Sequence, residues 1–332
     1  SRYTDISILI AAEMSNDQGG LRVTREAILD MDQPGAWYSP FSSMHHLVIV
    51  AEPSRGITNP EFDDALRMGA IRVSNYLAAP LAGLEPDEVK IYSDVSPRRT
   101  DGLPRIGYVY QVQSQGPLLQ TFFYGETMDD FMPTPVQPAE ILGGALVSGN
   151  HSHMTIPTLV HVNHPILESL FERNGKDLSL CPVILTEGHA KTSWQKERRA
   201  QHVLNLLKMF EVDGVILTQE GGGMSMVDQF MMCHLCEENG IRTAVITFEM
   251  GGENGKDFPL LDVNSSADAI ISLGNRDEPV QLSPVQLVIG GGYVRDGMKL
   301  HDLAAANEAM TVRLSTIYGA LNQVGANRIR TF

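Results

Sequence analysis

"VDGVILTQEGGG", residues 212 to 223, is the stretch that decides the fold. An apolar, β-branched run (Val215-Ile216-Leu217-Thr218) ends in an acid and three glycines. Such a run, bounded by turn residues, suits a strand buried on both faces. The same design recurs on either side of it. "PVILTEGH" (182–189) comes before; "RTAVITFEMGG" (242–252), "ADAIISLG" (267–274) and "VQLVIGGGY" (285–293) come after. Helical stretches separate these runs: one from about Ser193 to Phe210, one through "MSMVDQFMMCHLCEENGI" (224–241), and a last long one from about Leu300 to Gly319. Strands alternating with helices of this length predict a parallel, doubly wound sheet with helices on both faces.

The first half is mixed. "DISILIAAE" (5–13), "HHLVIVAEP" (45–53), "RIGYVYQVQSQ" (105–115) and "QTFFYG" (120–125) read as strands. "NPEFDDALRMGAIRVSNYLA" (59–78) opens with Asn-Pro and carries apolar residues at helical spacing. The expectation is an α/β protein of two parts. Residues 1–147 form a mixed α/β domain, residues 148–332 a parallel, Rossmann-like one, and segment 148–165 lies at the junction as the active-site stretch.

Bulk composition excludes several classes of function. The chain has 332 residues and a formal net charge of −15, spread along its length. That surface repels phosphate backbones and anionic lipid, so nucleic acid and membrane are poor partners. No apolar run approaches the length of a membrane span, and the N-terminus lacks a signal-peptide pattern, which predicts a cytoplasmic protein. Three cysteines make no disulfide framework. Cys233 and Cys236 form a lone C-x-x-C inside a helical stretch. A redox dithiol would fit that spacing, but two small core-facing residues are the simpler account.

Chemistry gathers where the strands end. Glu187, Glu220 and Glu249 each close one of three successive runs, with glycines beside them. In an open parallel sheet, ligands bind outside the carboxyl ends of the strands. Three acids together would raise one another's pKa unless a cation joined them, a metal ion or an ammonium substrate. Solvated loop acids are the plainer alternative. Gly221-Gly222-Gly223 and Gly290-Gly291-Gly292 match no phosphate-loop spacing, and tight turns account for them.

"ALVSGNHSHMTIPTLVHVNHP" (145–165) holds four of the chain's ten histidines: His151, His153, His161 and His164. His151 and His153 share a face if the segment is extended. Neutral imidazoles bind zinc-like or iron-like divalent metals, and with an acid and an open position they make a catalytic site. Acid–base histidines without metal, or incidental surface residues, also fit, since no metalloenzyme spacing such as H-E-x-x-H occurs.

Several stretches, in order along the chain, resemble one known family. They are "AILDMDQPGAWYSPFS" (27–42), "LVIVAEP", "ALRMGAIRVSNYL" (65–77), "PDEVKIY", "YVYQVQSQGPLLQTFFYG" (108–125), "GALVSGN" (144–150), "NHPILESLFERNGK" (163–176), "VDGVILTQEGGG" and "GIRTAVIT". The family is the component B proprotein subunit of glycine, sarcosine and betaine reductases. The resemblance implies an oxidoreductase subunit acting on C–N bonds, with a second reductase subunit and a thiol or selenoprotein as partners. It also implies self-cleavage after Ser-Gly-Asn, where a cysteine becomes a pyruvoyl group that captures an amine substrate. Here Ser148-Gly149-Asn150 is followed by His151, and imidazole cannot take that route; Ser152 is the nearest hydroxyl. The chain therefore reads as a divergent member without the pyruvoyl-forming cysteine. The expected site joins His151, His153, Glu187, Glu220 and Glu249 as catalytic groups. Asn150, Asn163, Gly221 and Gly222 would contact a small amino-acid-like substrate, and the four histidines would hold a divalent metal. A homo- or hetero-oligomer is the expected assembly; an inactive scaffolding paralogue is the non-enzymatic alternative.

Overall fold

The computed structural model describes residues 5–12, 27–149, 155–263, 265–295 and 303–325. In chain order the elements begin with β1 (Ile6–Ala12), β2 (His45–Ala51), α1 (Asn59–Ala78), β3 (Arg105–Val112), β4 (Thr121–Phe123), β5 (Glu126–Thr127), β6 (Thr134–Val136) and α2 (Pro138–Leu142). They continue through β7 (Leu146–Ser148), α3 (Thr158–Val162), α4 (Pro165–Arg173), β8 (Ser179–Leu180), β9 (Val183–Glu187), α5 (Ser193–Met209), β10 (Gly214–Gln219) and α6 (Met224–Glu238). The last are β11 (Arg242–Glu249), β12 (Ala269–Asn275), β13 (Pro279–Leu282), β14 (Tyr293–Arg295), β15 (Leu303–Ala305) and β16 (Met310–Arg313). These divide into two compact units, one drawn from 92–150, 154–278 and 321–332, the other from 1–91 and 279–320.

The first of these units is built on a seven-stranded sheet of order β12-β11-β10-β3-β9-β6, with β8 also pairing with β3. Strands β12, β11, β10, β3 and β9 run parallel, and only the edge strand β6 is antiparallel. The expected parallel α/β sheet is present. A cut of the chain at 147/148 would pass through it, because β3 lies between β9 and β10 and bonds to both.

Alternate residues of these strands face opposite ways. Val109, Ile184, Val215, Leu217 and Val245 share one core cluster with α5 (Ala200, Val203, Leu204, Leu207) and α6 (Phe230, Met232, Cys233, Cys236). Burying each large apolar side chain there stabilises by about 1.5–3 kcal/mol. Gly107 permits the close seating of α5: a Cβ there would meet Leu207 Cδ2 at 2.9 Å. Helix α5 starts cleanly, since Thr192 Oγ1 accepts from Gln195 N–H and the Gln195 side chain reaches back to Thr192. Such a capping box contributes about 1 kcal/mol. The opposite face of β3 presents Tyr108 and Tyr110 to His161 of α3 and His164 at the head of α4. Helices therefore cover both faces.

The second unit contains the parallel pair β1–β2, helix α1 and the antiparallel pairs β13–β16 and β14–β15. Helix α1 begins as its Asn-Pro signal predicts, with Thr58 as cap and Pro60 in the first turn. The long final helix expected from Leu300 to Gly319 is not formed. From Leu303 the chain makes β15, β16 and a short 3-10 turn, Leu314–Thr316. Glu308 N–H closes a turn on Ala305, and β16 then pairs with β13. Here long-range pairing overrides an alanine-rich helical propensity. "VQLVIGGGY" likewise forms no buried strand; pairing starts only at Tyr293, after Gly290 turns with φ +106°. No helix among the described residues is long and apolar enough to cross a membrane.

Candidate functional site

Five parallel strands place their carboxyl ends along one edge. At β3 the winding changes sides: the helices that follow it, α3 and α4, lie on the tyrosine face, whereas α5 and α6, which follow β9 and β10, lie on the other. A crevice at such a switch point is where open α/β sheets bind ligands. The residues brought to it are Gln111 and Gln113 at the end of β3, Glu187-Gly188-His189 at the end of β9, and Gln219 to Gly223 at the end of β10.

On the tyrosine face the polar groups are fully buried, and all four side chains make hydrogen bonds. The Tyr108 hydroxyl lies 3.0 Å from His164 Nε2 and 2.7 Å from Thr218 Oγ1. The Tyr110 hydroxyl lies 2.8 Å from His161 Nδ1. His164 Nδ1 accepts the Leu167 N–H at 3.4 Å, so both its ring nitrogens are engaged. His161 Nε2 has no partner. Burial pushes both imidazoles down to about 3, so each is neutral at ordinary pH. Among the described residues no three His, Cys, Asp or Glu gather into a group that could hold a metal ion.

The three strand-end acids share an edge, yet each meets a different partner. Glu187 is buried and accepts from Arg199 Nη1 of α5 at 2.5 Å. Burial pushes its pKa up to about 8, against the pull of Arg199. Glu220, wholly buried, accepts the backbone N–H groups of Gln113 and Ile156, tying the end of β10 to the end of β3. Its pKa rises to about 7, again by burial, opposed by those two bonds. Glu249 accepts from Ser272 Oγ on β12. The described protein partners of the three acids are thus Arg199, two main-chain amides and a hydroxyl, a separate set for each. The reason is register: β3 separates Glu187 from Glu220, each strand spacing being about 4.8 Å.

Gly221 and Gly222 form the turn into α6. Gly221 has φ +76°, and a Cβ there would meet His189 Cε1 at 2.7 Å and Gln113 Oε1 at 2.9 Å. Glycine is required on both counts. His189, itself at φ +65°, is driven down to about 4 by burial, opposed by a hydrogen bond to the Gly222 backbone. Lys196 of α5 pairs with Asp228 of α6 beside it, and Asp228 also accepts from Ala190 N–H at 3.2 Å.

Of the expected site residues, Asn150, His151 and His153 lie outside the described residues, as does Ser152. Asn163 caps the end of α3, and its side chain donates back to Leu159 O. Glu187, Glu220, Gly221 and Gly222 reach the crevice around β3. His189, Ser225 and Gln323 were not singled out in the sequence. His189 had a signal, two residues after a strand-end glutamate. Gln323 had none, for it arrives from over a hundred residues away to donate to Gly221 O at 2.7 Å. Cys233 and Cys236 are buried free thiols in the apolar core.

Comparison with known proteins follows the same lines. The family described as glycine/sarcosine/betaine reductase component B subunits matches residues 9–331. The glycine reductase complex component B subunits alpha and beta of Acetoanaerobium sticklandii are 33% identical over 322 residues, covering 92% of this chain and 73% of that one. The protein of the same description from Peptoclostridium acidaminophilum is 34% identical over 316 residues, 91% of this chain and 72% of that one. The sarcosine reductase complex component B subunit alpha of Peptoclostridium acidaminophilum is 33% identical over 318 residues, 91% and 73% of the two chains. No solved structure matches the chain.

Proposed function

The chain belongs to the family of glycine/sarcosine/betaine reductase component B subunits, and from that premise we propose that it is a component B-type subunit working as one unbroken chain, without a pyruvoyl group. One observation carries the second half of this reading: His151 follows Ser148-Gly149-Asn150. Self-cleavage needs a side-chain hydroxyl or thiol that can attack the preceding carbonyl, form an ester or thioester, and later eliminate. Imidazole offers no such sequence, so the residues present do not fit the group, and no step is drawn through it.

The substrate class is a small amino-acid-like or N-substituted compound, in keeping with relatives named for glycine and sarcosine reductase complexes. It would be taken at the carboxyl edge of the sheet, in company with a second reductase subunit. His151 and His153 would supply proton transfer near neutral pH, the range in which an unperturbed imidazole titrates. A divalent ion belongs to this reading as well; of the two described histidines of the segment, His161 keeps Nε2 without a partner, whereas both nitrogens of His164 are engaged.

Intact mass spectrometry tests the central claim. A single species at 36.4 kDa is expected for the 332-residue chain. Two pieces that divide next to Asn150 would overturn it, and a pyruvoyl-blocked piece derived from Ser152 would restore the family's own chemistry. Elemental analysis of protein purified without added metal measures the ion, with one equivalent of zinc or iron supporting the histidine arrangement.

A further inference from the structure

Among the described residues, the three strand-end acids differ in what they hold. Glu187 meets Arg199 and Glu249 meets a serine hydroxyl, whereas both Glu220 oxygens accept main-chain N–H groups, from Gln113 and from Ile156. The Glu220 N–H in turn donates to Gln111 O at 2.9 Å, so its backbone and side chain are both fixed to the end of β3. The residue is wholly buried. A carboxylate spent in this way on two amides sets where two pieces of chain lie.

These bonds belong to a closed ring. Ile156 has a buried side chain and precedes Pro157, a position that favours extended backbone. Two residues on, Thr158 Oγ1 at the head of α3 accepts the Ser148 N–H of β7 at 3.0 Å. Ser148 pairs with Thr121 of β4. Thr121 Oγ1 donates to Gln113 O at 2.7 Å, and the Gln113 N–H returns to Glu220 at 2.7 Å. Gly149, which follows β7, is seated against the start of β4. Its N–H donates to Gln120 O at 2.9 Å, and a Cβ there would meet Phe122 Cε2 at 2.9 Å. Residues 150–154 therefore leave the ring at Gly149 and rejoin it at Thr155. Glu220 is joined to both sides, directly through Ile156 and by way of Gln113 and Thr121.

We propose that Glu220 is a positioning residue: it fixes both ends of the histidine-bearing segment 150–154 at the carboxyl edge of the sheet and takes no part in proton transfer. This deepens the component B reading and rests on it for the chemistry that His151 and His153 perform. The place calls for a glutamate because it needs two acceptor oxygens. A glutamine has one, and its NH2 would face the second amide as donor against donor.

Amide exchange and histidine NMR on the full chain test it together. Glu220→Gln should speed exchange of the Ile156 or the Gln113 amide at least about tenfold, the loss of one charge-assisted bond. That gain is read relative to the Val245 amide in β11, whose exchange follows global opening. The imidazole Cε1–H resonances of His151 and His153 should move in the same variant, and those of His202 and His234, on α5 and α6, should not. Thr158→Val opens the ring at its opposite side and should move the same two resonances. Beside a reductase partner, Glu220→Gln should lower turnover without displacing the midpoints of its pH profile. Exchange as slow as wild type at both amides, unmoved His151 and His153 resonances in both variants, or a lost limb of the pH profile would overturn the proposal. Should Glu220→Gln fail to fold, Thr158→Val decides through the resonances alone. A chain that shows these shifts and yet turns nothing over would sink the functional reading and leave the positioning role standing.

Discussion

The two faces of the central sheet are made by alternate residues of the same strands, and they have opposite characters. On one, Val109, Ile184, Leu217 and Val245 meet the apolar sides of α5 and α6. On the other, Tyr108, Tyr110 and Thr218 meet His161, His164 and, at the strand end, Glu220. Both faces are buried, but only the first gains stability without reserve. The second has to offset the desolvation of the polar atoms it buries, His161 Nε2 being one it leaves unpaired, and what it gains is a set of fixed, shifted titratable groups. The apolar face holds the strands in register, and the polar face ties β3 to β10 and to the chain entering α3.

The contrast predicts where damage is greatest. Phe230→Ala, in the middle of the apolar face, should cost about 3–5 kcal/mol in urea denaturation, the range for an aromatic cavity in a packed core. The polar face should instead write its effects into the pH dependence. Glu220 and Glu187 titrate at about 7 and about 8 in the native state, above the ordinary 4.5, so the folded protein holds their protons longer. Their contribution is present at low pH and is lost as pH rises toward 8. His161 and His164, lowered to about 3, act in reverse: their contribution is present above 6.5 and is lost as pH falls. The two pairs oppose one another between about pH 4.5 and 6.5, so stability should fall away on either side of that window. Glu220→Gln should flatten the alkaline limb by on the order of 3 kcal/mol, read from urea midpoints between pH 5 and pH 9. An unchanged slope would separate Glu220 from the pH dependence.

Much of the apolar face was legible in the sequence, and little of the polar one. Runs such as "VILTE" and "VILTQE" announce strands buried on both sides, and the intervening helices make a parallel order nearly obligatory. The position of β3 is not announced: strand order depends on pairing across the 70 residues and more that separate it from β9. The strand-end acids were visible, but their partners were not. Arg199 reaches Glu187 by the phase of α5, and Ile156 reaches Glu220 from a separate segment. The histidines show the limit best. As a local cluster they suggested one metal site, yet His161 and His164 are distributed between two tyrosines some fifty residues earlier, which no spacing within 151–164 could reveal. The final helix failed for a related reason, since β13 recruits residues whose own preference is helical.

Finer effects separate the two tyrosines. Tyr108→Phe strands two buried groups, His164 Nε2 and Thr218 Oγ1, and should cost about 1–3 kcal/mol. Tyr110→Phe strands only His161 Nδ1 and should cost less. A double variant shows whether the stacked rings, 5.6 Å apart between centroids, act as one unit or two. Costs that add within experimental error would make the polar face a pair of independent bonds rather than a network.

The smallest effect belongs back on the apolar face, at Cys233 and Cys236. Both thiols are buried in the core, and burial raises both, Cys236 to about 12. A thiol so far from its thiolate neither attacks a disulfide nor binds a soft metal at neutral pH. Cys233→Ala and Cys236→Ala should each cost roughly 1 kcal/mol, the loss of one small apolar group, with Cys233 also giving up its contact with Thr243. Neither thiol should react with a thiol-specific chromogenic disulfide until the protein unfolds. Rapid labelling in the native state would mean that the C-x-x-C is exposed in solution. The apolar face would then carry redox chemistry of its own, and the division of labour between the two faces would fail.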